Sequence, residues 1–510
     1  MMMFRTFVVL SIWATSIAAA PLAAPTVKLD AATVTGTSSG RLSKFLGIPF
    51  AQPPTGDLRF RLPQPIPAYT GNFAATKYGL SCTQQSLSLP ILTGLAAEAV
   101  DYIVNSIFGL IVPDSEDCLT INVIAPATAT PKSKLPVIVW MFGGGYELGG
   151  TAMYDGGVIA DRSITLGIPA IYVSMNYRLT GFGFLGGKEV KEAGVGNLGL
   201  QDQREALRWI QKYIGAFGGD PTKVTIWGES AGAISVGLHM VANNGDNEGL
   251  FRAGFMQSGS PIPVGDITNG QKYYDAIVSQ TGCSGSADTL DCLRKVPYNT
   301  LKAAVNKSPG IFSYQSLDIA WLPRADGKFL TDNPQQLVLD GKVANIPFIT
   351  GDCDDEGTLF SLSTLNVTTD AKFRDYLKTY FLRQVPDADI DKLLKLYPSD
   401  ITAGSPYDTG VLNALTPQFK RMASFFGDGV HASDILNVYA GGGMADYLIR
   451  FAANLDPNAK TGLQWPKYTT QTRKLFTFTD GLLIGGQITE DTFRKDAMAH
   501  LTKITLEHPL

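Results

Sequence analysis

Ser230 lies in the sequence Gly-Glu-Ser-Ala-Gly at residues 228–232, directly after the apolar run Val224–Trp227. A serine between two glycines, where a strand passes into a helix, occupies a sharp turn that exposes its hydroxyl. Such a hydroxyl can attack an ester carbonyl when a neighbouring imidazole takes its proton. The amide of Ala231, at the N-terminus of the following helix, can donate to the oxyanion. The pattern predicts Ser230 as the nucleophile of an ester-cleaving site.

A second glycine-rich segment, Phe142–Tyr146, follows the apolar run Leu135–Met141. Three consecutive glycines let the backbone turn its amides toward a ligand. The sharp turn at residues 228–232 is called the elbow below. An oxyanion hole of this kind takes one donor from the elbow and another from a loop upstream of it. We therefore predict Gly144 and Gly145 as oxyanion donors beside Ala231.

The general base must be one of four histidines, at positions 239, 431, 500 and 508. His239 is about 13 Å from Ser230 along the helix after the elbow, at ~1.5 Å per residue, which is too far for proton transfer. In enzymes built around such an elbow the chain order is serine, acid, histidine. His500 and His508 lie near the C-terminus, so His431 is the best candidate.

Four carboxylates, those of Asp352, Asp354, Asp355 and Glu356, follow the apolar run Ile346–Ile349. Catalytic side chains collect at the carboxyl ends of such strands. The acid of a triad has to orient the imidazole and stabilise its cation. Any of the four carboxylates meets this requirement.

Short apolar runs alternate with helical patterns from about residue 135, which predicts an α/β fold with a mostly parallel sheet covered by helices. The predicted strands are Leu135–Met141, Ala170–Met175, Val224–Trp227, Ala253–Met256 and Ile346–Ile349. The predicted helices between them are Gln201–Tyr213 and Ala231–Val241.

The N-terminus is typical of a secretory signal peptide, with Arg5 before the apolar run Phe7–Ala20 and small residues after it. This run is shorter than the ~20 apolar residues that span a bilayer, so we predict secretion and no transmembrane segment. In a secreted chain the sequons at Asn306 and Asn366 are candidate glycosylation sites. The formal charge of −4, without a cluster of Lys and Arg, argues against nucleic acid as a partner.

Five cysteines in a secreted chain predict disulfides, and the odd number leaves one cysteine over. Several pairings are open. A local bridge between Cys283 and Cys292, with a longer loop closed by Cys82 and Cys118, would leave Cys353 outside both.

The loop between Cys82 and Cys118 contains the stretch Leu95–Pro113, whose apolar residues recur at helical spacing and are interrupted by Glu98 and Asp101. This pattern predicts an amphipathic helix. It is either an ordinary core helix or a lid whose apolar face covers the active site and turns outward at a lipid surface.

Together these motifs resemble the type-B carboxylesterase/lipase family, and in particular its secreted fungal triacylglycerol lipases. The resemblance runs nearly from end to end of the chain. The segments that carry it are Gly47–Pro54, Glu116–Leu119, Phe142–Gly145, Asn176–Arg178, Phe217–Pro221 and Gly228–Ala233. It implies an α/β-hydrolase fold, with a signal peptide at residues 1–23, a single domain at 24–510 and a lid loop at 83–117.

The resemblance also implies roles for particular residues. Glu356 becomes the acid of a triad with Ser230 and His431, and Asn366 matches a family glycosylation position. Neither a metal ion nor an organic cofactor is expected. The disulfides that the resemblance implies are Cys82–Cys118 and Cys283–Cys292.

The stretch between Glu356 and His431 departs from the family pattern. In the family the last strand of the sheet lies between acid and base, whereas here we predict no strand. A join near residue 428 omits about 30 to 40 residues, enough for a helix and a strand of usual length. We expect that strand to be missing. The helices predicted in its place are Thr369–Phe381, Ala388–Leu396 and Thr416–Phe426.

These observations predict a secreted carboxylic ester hydrolase that forms an acyl-enzyme. A triacylglycerol lipase acting at the lipid–water interface is favoured by the lid loop, and a short-chain carboxylesterase or a sterol esterase are alternatives. A different alternative is a catalytically impaired family member that acts as a binding protein, because the omission near residue 428 directly precedes the base.

Overall fold

The computed structural model describes residues 24–86, 113–427, 438–439, 441–479 and 485–510. Three predictions fall wholly or mainly outside these residues. They are the signal peptide at 1–23, the amphipathic helix except for its last residue, Pro113, and the candidate base His431.

Eight strands of the described residues form one central sheet. In chain order they are β1 (Thr37–Ser39), β2 (Leu42–Pro49), β3 (Thr120–Pro126), β4 (Leu135–Met141), β5 (Ile171–Met175), β6 (Gly219–Glu229), β7 (Ala253–Gln257) and β8 (Phe348–Gly351). Across the sheet the order is β8-β7-β6-β4-β5-β3-β2-β1. Strands β4 to β8 pair in parallel, and β1 to β3 add an antiparallel edge. The predicted mostly parallel sheet is confirmed.

The central strands form because their residues are apolar on both faces, as expected for parallel strands that are covered on each side. All five residues of β5 are buried, and so are the last five of β4. Smaller sheets join Thr26–Leu29 with Ala32–Thr35 and Asn72–Ala74, Ser81–Cys82 with Asp114–Ser115, and Lys474–Thr479 with Gly485–Glu490.

Helices connect and cover the strands. Those of the described residues are α1 (Gly157–Thr165), α2 (Thr180–Phe184), α3 (Lys188–Ala193), α4 (Leu198–Tyr213), α5 (Ala231–Gly245), α6 (Gln271–Gln280), α7 (Thr289–Lys295), α8 (Tyr298–Val305), α9 (Pro334–Leu339), α10 (Thr358–Ser361), α11 (Asp370–Tyr380), α12 (Asp387–Leu396), α13 (Phe419–Gly427), α14 (Gly443–Asn454) and α15 (Lys495–Glu507).

An aromatic cluster lies on the central strands beneath the elbow. Trp140 of β4 and Trp227 of β6 are neighbours in the sheet, and their ring centroids are 4.1 Å apart. Tyr439 stacks on Trp227 at 5.4 Å, and its hydroxyl lies 2.9 Å from that of Tyr172. These contacts attach residues 438–439 to the strand that leads into Ser230.

The sheet ends at β8. Residues 357–427 form helices α10 to α13 and contain no strand, as predicted, and no described strand pairs with the outer side of β8. Phe348 on this strand is 52% exposed. An edge strand is normally protected by short length, by charge or by a covering element, and β8 is short, with four residues.

Both predicted disulfides are confirmed, at Cys82–Cys118 and Cys283–Cys292. Cys353 lies outside both bridges. The first bridge closes the loop that contains residues 87–112, which lie outside the described residues.

Candidate active site

Ser230 lies at the turn between β6 and α5. Its backbone has φ 58° and ψ −129°, a conformation that non-glycine residues rarely adopt and that is found at functional sites. The Ser230 amide donates to the carbonyl of Gln257 at the end of β7, 2.9 Å away. The residue is only 5% exposed. The neighbouring strands thus hold the predicted nucleophile in a strained turn.

The two glycines of the elbow are required by space. A Cβ on Gly232 would fall well inside van der Waals contact with the Met141 carbonyl oxygen, and one on Gly228 would do the same with the Gly232 backbone. These neighbours are backbone atoms, which cannot rotate away as a side chain can. The close approach of β4 and α5 at this point therefore requires glycine, which has no side chain, at the elbow.

We expect Gly232→Ala to lower the free energy of unfolding by about 3 kcal/mol, because β4 and α5 would have to separate. Gly215→Ala is the matched control, since a Cβ there would meet no atom within 4 Å; it should change stability by no more than about 0.5 kcal/mol. Denaturation by urea measures both. Equal stability of the two variants would contradict the packing described for the elbow.

The glycine loop after β4 lies against the nucleophile. A Cβ on Gly143 would be 2.6 Å from the Ser230 Cβ. Gly144 and Gly145 have φ values of 113° and 64°, which glycine adopts readily. Within the described residues, neither of their amides has a protein acceptor. The Ala231 amide is at the first position of α5, where the helix itself offers no acceptor. The predicted oxyanion donors therefore lie in the two segments next to Ser230, the glycine loop and the start of α5.

Of the four candidate carboxylates after β8, only that of Glu356 is buried, at 3% exposure. Its Oε1 accepts from the Cys353 amide at 2.7 Å. Asp355 points elsewhere, because its Oδ1 accepts from the Ser405 hydroxyl and from the Tyr407 amide, both at 2.9 Å. Burial therefore separates Glu356 from its neighbours, which the sequence pattern did not.

Glu356 and Ser230 belong to the same edge of the sheet. β8, which precedes the acid, pairs in parallel with β7, which pairs in parallel with β6. Strand spacing of ~4.8 Å puts the carboxyl ends of β6 and β8 about 10 Å apart, a separation that an imidazole between the two groups can bridge.

Three of the four histidines are described, and two of these make hydrogen bonds to groups away from the elbow. Nε2 of His239 is 2.9 Å from the Gln203 side-chain oxygen, and burial lowers the pKa of His239 well below its usual range. Nε2 of His500, on α15, donates to the Asp389 carbonyl at 3.0 Å. His508 follows the end of α15. His431 lies outside the described residues.

The described residues directly before and after the segment that contains His431 both lie close to the candidate site. Helix α13 ends at Gly427, where a Cβ would be 3.9 Å from the Cβ of Glu356. The described chain resumes at Val438, which is fully buried, and Tyr439 stacks on Trp227. One end therefore lies beside the candidate acid, and the other beside the strand that carries the candidate nucleophile.

Sequence reasoning missed Glu147, a buried carboxylate that directly follows the predicted oxyanion glycines. The sequence did contain a signal for it, since Glu147 is the one ionisable residue in the run Met141–Gly150 apart from the Tyr146 phenol.

Among the described residues no group of three or more His, Cys, Asp or Glu side chains is arranged to hold a metal ion. No described helix is long and apolar enough to cross a bilayer.

The model of the carboxylesterase family matches residues 23–409. Lipase 2 of Diutina rugosa is 43% identical over 95% of this chain and 97% of its own length. A secreted lipase of Botryotinia fuckeliana is 41% identical over 94% and 93%. A secreted triacylglycerol lipase of Gibberella zeae is 40% identical over 92% and 89%.

Among solved structures, the crystal structure of Aspergillus niger EstA superimposes with a TM-score of 0.78 at 26% identity. The superposition covers 95% of this chain and 99% of EstA. The family match includes both the elbow at Ser230 and the acid loop at Glu356. The chain therefore belongs to the carboxylesterase family, and it is a carboxylic ester hydrolase with an α/β-hydrolase fold.

Proposed function

We propose that this protein is a secreted triacylglycerol lipase that uses Ser230, His431 and Glu356 as a catalytic triad. The observation that carries the proposal is the strained turn at Ser230, which lies against a glycine loop whose Gly144 and Gly145 amides have no acceptor among the described residues. Backbone amides without an internal acceptor, in a loop that lies against a serine in a sharp turn, are what an acyl-transfer site requires.

In the first half of the reaction, the Ser230 oxygen attacks the ester carbonyl carbon while His431 takes the hydroxyl proton. The negative charge moves to the carbonyl oxygen, where the amides of Gly144, Gly145 and Ala231 stabilise it. The carbon–oxygen bond to the alcohol then breaks, and His431 returns the proton to that alcohol. The acyl group stays on Ser230 as an ester.

In the second half, water attacks the acyl-enzyme and His431 takes its proton. Collapse of the second tetrahedral intermediate breaks the bond to Ser230, which recovers the proton, and the carboxylic acid leaves. Glu356 stays ionised throughout, because its role is to orient His431 and to stabilise the imidazolium. The Cys353 amide holds its Oε1 in place.

The assignment of His431 is supported by the described ends of its segment. The chain from Gly427 to His431 can span at most about 14 Å, and it starts beside Glu356. The other candidates are less suited, since His239 and His500 already have hydrogen-bond partners away from the elbow.

A lipase is favoured over a short-chain esterase by the root of the lid loop. Gln84 makes two hydrogen bonds to Gly149, at 2.6 Å and 3.0 Å, and the Gln85 amide donates to the Glu147 carbonyl at 2.9 Å. The described root of the lid loop, at Gln84 and Gln85, therefore lies directly beside residues 142–150, the segment that contains the proposed oxyanion donors and is called the oxyanion loop below. The three relatives compared above are named lipases, and two of these names include secretion.

Secretion also bears on the two candidate glycosylation sites. Asn366 is exposed and is the more accessible of the two. Asn306 is half-buried, and its Oδ1 accepts from the Ser86 amide at 2.9 Å. We propose that Asn366 carries a glycan, in keeping with an extracellular protein that contains two disulfides.

The lipase assignment is tested by rates on tributyrin, triolein and an acyl-cholesterol, each below and above its solubility limit. We expect the rate per enzyme on both triacylglycerols to rise at least tenfold once an interface forms, with slower turnover of the sterol ester. A rate that saturates below the solubility limit, and does not rise when an interface forms, would indicate a short-chain carboxylesterase. The variant Cys82→Ser/Cys118→Ser should weaken the interfacial rise, while Cys283→Ser/Cys292→Ser, far along the chain from the lid loop, should keep it.

A further inference from the structure

Glu147 is a buried carboxylate directly after the oxyanion glycines, with 1% exposure. Its Oε2 accepts from the Ile311 amide at 2.9 Å, and its Oε1 meets no donor within the described part of the chain. Its backbone is held as well, because its amide donates to the Gly144 carbonyl at 3.0 Å and its carbonyl accepts from the Gln85 amide at 2.9 Å. One residue thus makes contacts in three directions.

These contacts join three segments of the active-site wall: the oxyanion loop, Gly310–Ile311 and the root of the lid loop at Gln85. The Ile311 side chain lies over Gly145, where a Cβ would be 2.8 Å from Ile311 Cδ1. Gly310 packs against the Glu147 carboxylate itself. A change at Glu147 would therefore be passed to the donor amide of Gly145 through Ile311.

The surroundings of the carboxylate favour its neutral form. Gly310 and Ile311 lie beside the carboxylate, and Gln85 bonds to the Glu147 backbone; none of the three is charged, and the neighbouring Tyr146 is a buried phenol. Burial raises the pKa of Glu147 to about 8, against a smaller lowering by the Ile311 amide. A buried carboxylate with a single amide donor is costly to ionise.

We propose that Glu147 is a positioning residue which, as a neutral carboxylic acid, holds the oxyanion loop in register with the Gly310–Ile311 segment. The proposal rests on the proposed function, since it assigns Glu147 a role in aligning the amides of Gly144 and Gly145. Glu147 itself has no contact with the reacting atoms in this role.

The direction of the pH effect follows from the raised pKa. Because the folded value of about 8 lies above the unfolded value near 4.5, the carboxyl group contributes fully to stability below about pH 4.5. That contribution is lost progressively as the pH rises to about 8. Ionisation near pH 8 also puts a charge beside the oxyanion loop, so the alignment of the loop should weaken over the same range.

The test compares Glu147→Gln, which has the shape of the neutral acid, with Glu147→Ala. Hydrolysis of a soluble nitrophenyl ester is measured from pH 6 to 10, with the rate of Ser230→Ala subtracted. We expect Glu147→Ala to lower kcat about 100-fold with little change in KM, the pattern for a disturbed oxyanion hole. We expect Glu147→Gln to match the wild type near pH 6.5 and to exceed it by about tenfold at pH 9.5.

Glu205→Gln is the matched control, because Glu205 on α4 is also buried and burial likewise raises its pKa. Its ratio to the wild type should stay constant with pH. Superimposable pH profiles for Glu147→Gln and the wild type would overturn the proposal, as would an unchanged kcat in Glu147→Ala.

A readout independent of turnover separates this proposal from the proposed function. Hydrogen exchange at the amides of Glu147 and Leu148, which both donate to the Gly144 carbonyl, should become at least tenfold faster in Glu147→Ala but not in Glu147→Gln. Unchanged exchange in Glu147→Ala would overturn the positioning role even in an inactive protein. If the wild type shows no hydrolysis, but exchange in Glu147→Ala is still faster than in the wild type, the positioning role is supported and only the proposed function is contradicted.

Discussion

Ester hydrolysis by Ser230→Ala should fall by about four to six orders of magnitude relative to the wild type, while the fold stays intact. The hydroxyl is the proposed nucleophile, and removing it leaves only the oxyanion donors and substrate binding to accelerate attack by water. The side chain is small, so its loss opens little space at the turn. The measurements are kcat on a nitrophenyl ester and the unfolding midpoint of the same preparation.

Ser163→Ala is the matched control for Ser230→Ala. Ser163 is a fully buried serine of α1 whose hydroxyl donates to the Ala160 carbonyl at 2.6 Å. The hydroxyl also accepts from the buried Ala170 amide at 2.9 Å, so its loss should cost about 2 kcal/mol of stability without slowing turnover. An organophosphate should label the wild type once per molecule and fail to label Ser230→Ala. Full turnover by Ser230→Ala would reject this serine as the nucleophile.

Replacing His431 by alanine should reduce kcat by a similar factor, about four to six orders of magnitude. The serine hydroxyl would then have no base within reach, because His239 is held by Gln203 and His500 by the Asp389 carbonyl. Labelling of Ser230 by the organophosphate should slow by a comparable factor, since it requires the same proton transfer.

The variants His500→Ala and His508→Ala serve as controls and should keep kcat within about threefold, once the folded fraction has been measured. A large loss of kcat in either variant, with turnover preserved in His431→Ala, would assign the role of base to that C-terminal histidine instead. A folded wild type that neither hydrolyses esters nor accepts the organophosphate would favour the binding-protein alternative. In that case the outer side of β8, which no described strand pairs with, would be the first place to look for the cause of inactivity.

The sequence predicted where the central elements lie more accurately than where they end. β4 has the predicted bounds, and α5 loses helical geometry from Ala242, one residue after its predicted end. The strand predicted at Ile346–Ile349 instead spans Phe348–Gly351. Its bounds are set by pairing with β7, and the apolar run alone cannot reveal which residues find partners.

The candidate site divides in the same way. The elbow and its glycines were predictable because a strand, a tight turn and a helix follow one another within a few residues. The acid was not predictable from the residues alone, since Asp355 and Glu356 are adjacent and chemically alike. Only the packing of α13 on this loop, where a Cβ on Gly357 would collide with the Ala423 carbonyl oxygen, makes position 356 the buried one.

The sequence by itself predicted the candidate nucleophile and the candidate oxyanion glycines, and it predicted the two disulfides and the absence of a strand in residues 357–427, which the structure confirms. Each of these depends on local order along the chain or on a family pattern written in short motifs. The tertiary structure alone decided which carboxylate is buried, that no described strand pairs with the outer side of β8, and that Glu147 joins the candidate oxyanion loop to Ile311. Burial and contact between residues far apart in sequence arise from packing, which no local pattern records.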